Sequence, residues 1–96
     1  MDLAGLLRDR REAIIEIAQR NGVKSIRVFG SASRGEGGDN SDIDFLVELH
    51  EGRSLLDHSR LILELESLLG RTVHVVTPQS VHRTMRDAIL ADARPL

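Results

Sequence analysis

The sequence predicts a small α/β (α+β) domain, a mixed three-stranded sheet backed by helices in the order αββαβα. Three observations carry that expectation. Long stretches with apolar residues at helical spacing alternate with short β-rich runs, and glycine, serine, proline and asparagine separate them. The 96 residues are 41% hydrophobic, enough for one core, so residues 1–96 are expected to form a single domain. A sheet this small must hide one face under helices.

From Asp2 to Arg20, the spacing of Leu3, Leu6, Leu7, Ile14, Ile17 and Ala18 predicts one amphipathic helix, stopped by Asn21-Gly22. "VKSIRVF" alternates Ile26 and Val28 against Arg27 and is the expected first strand, ending at Phe29. Gly30 to Ser41 holds four glycines and three serines, a loop with room for one helical turn after Ser31. "DIDFLVEL" is the second strand, with Ile43, Phe45 and Val47 on one face and Asp42, Asp44, Leu46 and Glu48 on the other. The next helix is expected between Ser54 as N-cap and Gly70 beyond its end, with Leu55, Ile62, Leu65 and Leu69 on its buried stripe. "RTVHVV" is the third strand, and Thr77-Pro78 is the expected start of a last helix that docks through Ile89 and Leu90.

Composition excludes several function classes. The formal charge of -2 gives no basic field for sequence-independent nucleic-acid binding, and two phenylalanines are the whole aromatic complement available for stacking bases. With no cysteine there is no disulfide framework, thiolate chemistry or Cys-ligated zinc. The N-terminal stretch is charged throughout and reads as neither signal peptide nor membrane span, so a soluble cytoplasmic protein is expected.

The chemistry concentrates in "VFGSASRGEGGDNSDIDFLVEL". Asp42 and Asp44 share a strand face roughly 6.6 Å apart, at about 3.3 Å per residue. Two carboxylates that close repel unless a cation sits between them. Hard oxygen ligands at this spacing suit Mg²⁺ or Mn²⁺, whose remaining positions go to water and phosphate oxygens. The phosphate is expected at the adjacent turn. There Gly30 permits close backbone approach, Ser31 adds an amide and a hydroxyl, and Arg34 a forked cation. The common phosphate loops, a glycine-rich stretch ending in Lys-Ser or Lys-Thr and G-x-G-x-x-G, are absent.

"FGSASRG" followed by "SDIDFLVE" resembles the signature of the nucleotidyltransferase superfamily related to DNA polymerase β, and specifically its minimal nucleotidyltransferase (MNT) members. The matching positions are Phe29, Gly30, Ser31, Asp42 and Asp44, and the similarity continues to "ARPL" at the end of the chain. The resemblance implies the polymerase β-like fold, a bound nucleoside triphosphate, ATP above all, and transfer of its nucleotidyl group with Mg²⁺ or Mn²⁺. It also implies a third carboxylate on the strand after the long helix. Here that position is His74, which can face the aspartates if the strands are neighbours. A neutral imidazole can ligate Mn²⁺ or take a proton near neutral pH; equally, its presence can mean weakened or lost catalysis with His74 as a polar filler. Glu48 shares the face but lies roughly 13 Å along the strand from Asp44, too far to share a metal. His50, His58 and His82 have no metal-ligand spacing, and Arg8, Arg10 and Arg11 are expected to form a solvated face with Asp9 and Glu12.

Larger relatives carry a helical domain for the acceptor, and these 96 residues hold none, so the acceptor is expected from a partner in a hetero-oligomer. The MNT resemblance implies an antitoxin that transfers AMP from ATP to a tyrosine hydroxyl of a HEPN ribonuclease toxin. The alternative is an MNT-fold antitoxin that neutralises its partner by binding alone.

Overall fold

The computed structural model of the chain describes residues 3–33 and 41–96. Among these the chain forms α1 (Leu3–Asp9), α2 (Arg11–Arg20), β1 (Val23–Phe29), a 3-10 turn (Gly30–Ala32), β2 (Ile43–Leu49), α3 (Leu55–Leu69), β3 (Val73–Val76), α4 (Arg83–Asp92) and β4 (Arg94–Pro95). The sheet order is β3-β2-β1-β4. β1 runs antiparallel to β2 and β4, and β2 runs parallel to β3. That parallel pair is joined through α3, the kind of crossover that parallel strands require.

Period-two alternation decides which face is buried. Val28 pairs with Phe45 and Phe45 with Val75, while Ile26 pairs with Val47 and Ile43 with Val73. All of these meet the helices: α2 contributes Ile14, Ile17 and Ala18, α3 contributes Leu61, Leu65 and Leu69, and α1 adds Leu3 and Leu7. Phe45 is 0% exposed at the centre. α3 is delimited as expected. The Ser54 hydroxyl accepts from the Leu56 amide at 3.2 Å and the Ser54 amide donates to Asp57 Oδ2 at 3.1 Å. At the other end Gly70 takes the left-handed conformation, φ 67°, that few other residues adopt without strain.

Four expectations need correction. The sheet has a fourth strand, because Arg94 and Pro95 pair with Val28 and Arg27; two residues are too short to carry any periodicity. The first helix is two, divided at Arg10, whose φ of -101° and ψ of 6° leave the α region; the apolar stripe continues from Leu7 to Ile14, so the pattern hides the break. On α3 the buried stripe is Leu61, Leu65 and Leu69, while Leu55 is 81% exposed and Ile62 only half-buried. Thr77-Pro78 does not start α4. Ser80 donates its amide to Thr77 O at 3.0 Å and the Thr77 amide donates to Ser80 Oγ at 3.1 Å, closing a turn, and the helix begins after His82, which accepts from the Thr84 amide. Ile89 is half-buried and Leu90 exposed, so α4 docks without a fully buried residue.

Candidate nucleotide and metal site

One rung of the sheet away from the core, the chemistry changes completely. Phe29 pairs with Asp44 and Asp44 pairs with His74, so the three side chains share the face opposite Phe45. Asp42, two residues before Asp44, lies on the same side. Its Oδ2 accepts a hydrogen bond from His74 Nε2 at 3.0 Å. The entrance to β2 is fixed from the α3–β3 connection: Ile43 N donates to Thr72 O at 3.0 Å and Arg71 Nη1 to Ser41 O at 3.3 Å. Val73 N is held by Glu66 Oε2 at 2.9 Å, which seats β3 in the register that delivers His74. Sequence reasoning therefore placed Asp42, Asp44 and His74 together correctly, and the parallel pairing is what brings them into contact.

β1 ends against this cluster. Gly30 has φ 72°, and a Cβ built on it would stand 2.7 Å from Asp44 Oδ2. Glycine is required there both by conformation and by space. The turn closes on itself, with Ser33 N donating to Gly30 O at 3.1 Å and Ser33 Oγ at 2.7 Å. Ser31 is located by its backbone within this turn, and Arg34 lies outside the described residues. The Gly30 amide has a partner from the far end of the chain. Rather than standing free for an anion, it donates to Asp92 Oδ2 at 2.7 Å, from the last residue of α4. Asp92 was missed because nothing local in "LADARPL" points to a loop 62 residues away.

Burial raises the Asp44 pKa above the ordinary carboxylate value, the charge on Asp42 raises it further, and His74 opposes both. A half-buried carboxylate beside a second one is a poor arrangement for an isolated protein and a good one for binding a hard cation. Among the described residues no group of three or more His, Cys, Asp or Glu converges to hold a metal. The donor set fits Mg²⁺ or Mn²⁺ bound by two carboxylates, with the other ligands from substrate and water. His74 and Asp42 are 53% and 54% exposed at the side chain, so their contact is open to water and weak on its own. When Nε2 carries the ring hydrogen and donates, Nδ1 is the lone-pair nitrogen of the neutral ring.

Glu48, His58, His82 and Arg11 have structural partners. Glu48 faces Arg27 at 4.0 Å. His58 Nε2 lies 3.0 Å from Val75 O, and His82 caps α4. Arg11 turns to the chain end, its Nε donating to Leu96 O at 2.9 Å. A cavity of about 380 Å³ opens beside the same turn, lined among others by Leu7, Arg8, Val28, Ala32 and Arg94, but Asp42, Asp44 and His74 do not line it. Among the described residues no helix is long and apolar enough to cross a membrane.

A mixed sheet with a glycine turn at the end of one strand, packed against an Asp-x-Asp at the start of its antiparallel neighbour, defines a nucleotide-transferring class of protein. Residues 10–96 match the nucleotidyltransferase domain family, and the chain belongs to it. It is 48% identical over 83 residues to a candidate protein adenylyltransferase of Methanocaldococcus jannaschii, covering 86% of this chain and 89% of that one. It is 40% identical over 77 residues to the protein adenylyltransferase MntA of Thermococcus cleftensis, covering 80% and 78%. A solved candidate minimal nucleotidyltransferase superposes with a TM-score of 0.89 at 48% identity over 100% of this chain and 97% of the other. A toxin–antitoxin crystal structure with AMP-PNP gives a TM-score of 0.74 at 26% identity, covering 86% of this chain and 68% of that one.

Proposed function

We propose that this protein is a metal-dependent protein adenylyltransferase acting as an antitoxin, which transfers AMP from ATP to a tyrosine hydroxyl of a HEPN-type ribonuclease partner. The observation that carries this reading is the single rung on which Asp44 is flanked by the strand leading into the Gly30 turn and by His74, with Asp42 beside it. The likeness to MntA and to the toxin–antitoxin structure with AMP-PNP supports the substrate and the kind of partner.

In the reaction, the acceptor hydroxyl oxygen bonds to the α-phosphorus as the bond to the bridging oxygen of pyrophosphate breaks. The hydroxyl proton leaves to a base, and pyrophosphate departs. Asp42 and Asp44 would hold Mg²⁺ or Mn²⁺, which when bound neutralises charge on the phosphate oxygens. The turn at Gly30 and Ser31, with Arg34, positions the triphosphate. His74 orients the Asp42 carboxylate through Nε2 and offers Nδ1 as the proton acceptor.

One observation favours a second reading, neutralisation by binding alone: His74 already engages an Asp42 oxygen that a metal would need. Mass spectrometry of the partner after incubation with ATP and Mg²⁺ or Mn²⁺ separates the two. Under the catalytic reading AMP appears on the partner, and Asp42→Ala and Asp44→Ala each reduce the rate on the order of 10³-fold, the loss of several kcal/mol of charge stabilisation. A partner neutralised yet unmodified establishes the binding role. His74→Asp then assigns the ring: a faster Mg²⁺-dependent rate identifies the histidine as an impairment, and a slower one as a working base or metal ligand.

A further inference from the structure

We propose that Asp92 is a positioning residue for the catalytic turn, its carboxylate holding the Gly30 amide so that β1 ends in the one conformation that fits against Asp44. The proposal rests on the nucleotidyltransferase reading above and adds to it a residue from the far end of the chain. Gly30 is gripped from two directions. Its amide donates to Asp92 Oδ2 at 2.7 Å, the short distance of a charge-assisted bond, and its α-carbon faces Asp44 Oδ2 so closely that a Cβ would stand 2.7 Å from that oxygen and force it to shift. With φ at 72°, Gly30 stands in the left-handed region, and the carboxylate holds the amide of the peptide that enters it.

The strap that delivers Asp92 is anchored on β1 and on α2. Immediately after α4, Arg94 and Pro95 pair with Val28 and Arg27, the residues leading into Phe29 and Gly30. Arg11 fastens the chain end through Leu96 O. α4 itself buries no residue completely, so the strand pairing and the Asp92 bond are prominent among the contacts that register it against β1. The consequence for recognition is specific. With its amide committed to Asp92, Gly30 shapes the turn without donating to phosphate.

The test compares wild type, Asp92→Ala and Asp92→Asn in the full chain. It uses Gly30 amide exchange by NMR, Mn²⁺–ATP binding by calorimetry, and KM and kcat for AMP transfer to the partner. Asp92→Ala is expected to expose the Gly30 amide to exchange and to raise KM for ATP about tenfold, as removal of one charge-assisted hydrogen bond entails. kcat should fall less than KM rises. Asp92→Asn keeps an acceptor of the same shape and should restore both protection and KM to within about threefold of wild type. Should Asp92→Ala fail to fold, the Asn variant and wild type still decide the matter: a protected Gly30 amide with near-native KM in the Asn variant supports the proposal, and an exposed Gly30 amide with unchanged KM overturns it. Nucleotide binding that is unchanged or tighter when the Gly30 amide is freed would overturn it, since the carboxylate would then be a bystander or an occluding anion. A wild type that binds Mn²⁺–ATP but transfers no AMP removes the transfer reading, while Gly30 exchange and nucleotide affinity still report on Asp92.

Discussion

Two adjacent rungs of the same three strands differ by one residue and by nearly everything else. Val28, Phe45 and Val75 form one; Phe29, Asp44 and His74 form the next. The first faces α2 and α3 and is essentially dry, while the second faces away from the helices and carries a half-buried carboxylate whose ionisation is opposed by burial. Because side chains alternate along a strand, backbone rigidity earned by packing on one face is transmitted undiminished to the other. The sheet thus presents mutually repelling groups in a fixed geometry, which a flexible loop could not do without letting them separate.

The comparison can be broken most severely at its dry half. Phe45→Ala removes the largest fully buried side chain and should cost about 3–5 kcal/mol, read as a drop in the urea midpoint, with loss of activity following the loss of fold. A smaller effect is expected at the junction between the rungs. Gly30→Ala forces a left-handed non-glycine residue, about 1–2 kcal/mol, and pushes a methyl group into Asp44 Oδ2. Under the proposed function AMP transfer should fall far more than the melting temperature does, because the displaced atom belongs to a carboxylate proposed to hold the metal rather than to the core.

The smallest change in stability carries the most informative sign. Asp44→Asn should abolish transfer yet raise the melting temperature of the metal-free protein, since it removes a charge whose burial is unfavourable. The folded pKa of Asp44 is raised, so the unfolded chain ionises first as pH climbs. Wild-type stability relative to the Asn variant therefore falls from about pH 4, the ordinary carboxylate range, up through the raised folded value, and stays lower above it. The difference between the two proteins is the quantity to measure. Asp57, lowered by the Ser54 amide bond and by Arg53 and Arg60, and Glu64, lowered by bonds from Asn21 and Arg20, contribute in the opposite sense as pH falls. If Asp42 and Asp44 hold the metal as proposed, added Mn²⁺ should narrow the gap, because a ligand that binds only the folded wild type stabilises wild type alone.

Much of this was legible beforehand where the signal is local. Ser54 and Gly70 bracket α3 because a capping hydroxyl and a left-handed glycine act within a few residues of themselves. Asp42 and Asp44 had to share a face whatever the surrounding fold. Local pattern failed where it was degenerate: α3 is leucine-rich on two sides, and periodicity alone cannot say that Leu61 and Leu65 go inward while Leu55, Leu56 and Leu63 stay exposed. It failed again at α4, where an imidazole cap replaced the expected Thr-Pro start.

What the sequence by itself determined is the set of short-range facts: strand alternation, helix limits, the glycine that must precede the acidic strand, and the two carboxylates that follow it. The tertiary structure alone decided that His74 donates to Asp42 across 32 residues, that Asp92 reaches the Gly30 amide across 62, and that Arg94 and Pro95 extend the sheet. The physical reason is that alternation and capping are written in neighbouring residues, whereas which distant groups meet depends on the sheet order, and that is set by how α2 and α3 bury one face of the sheet.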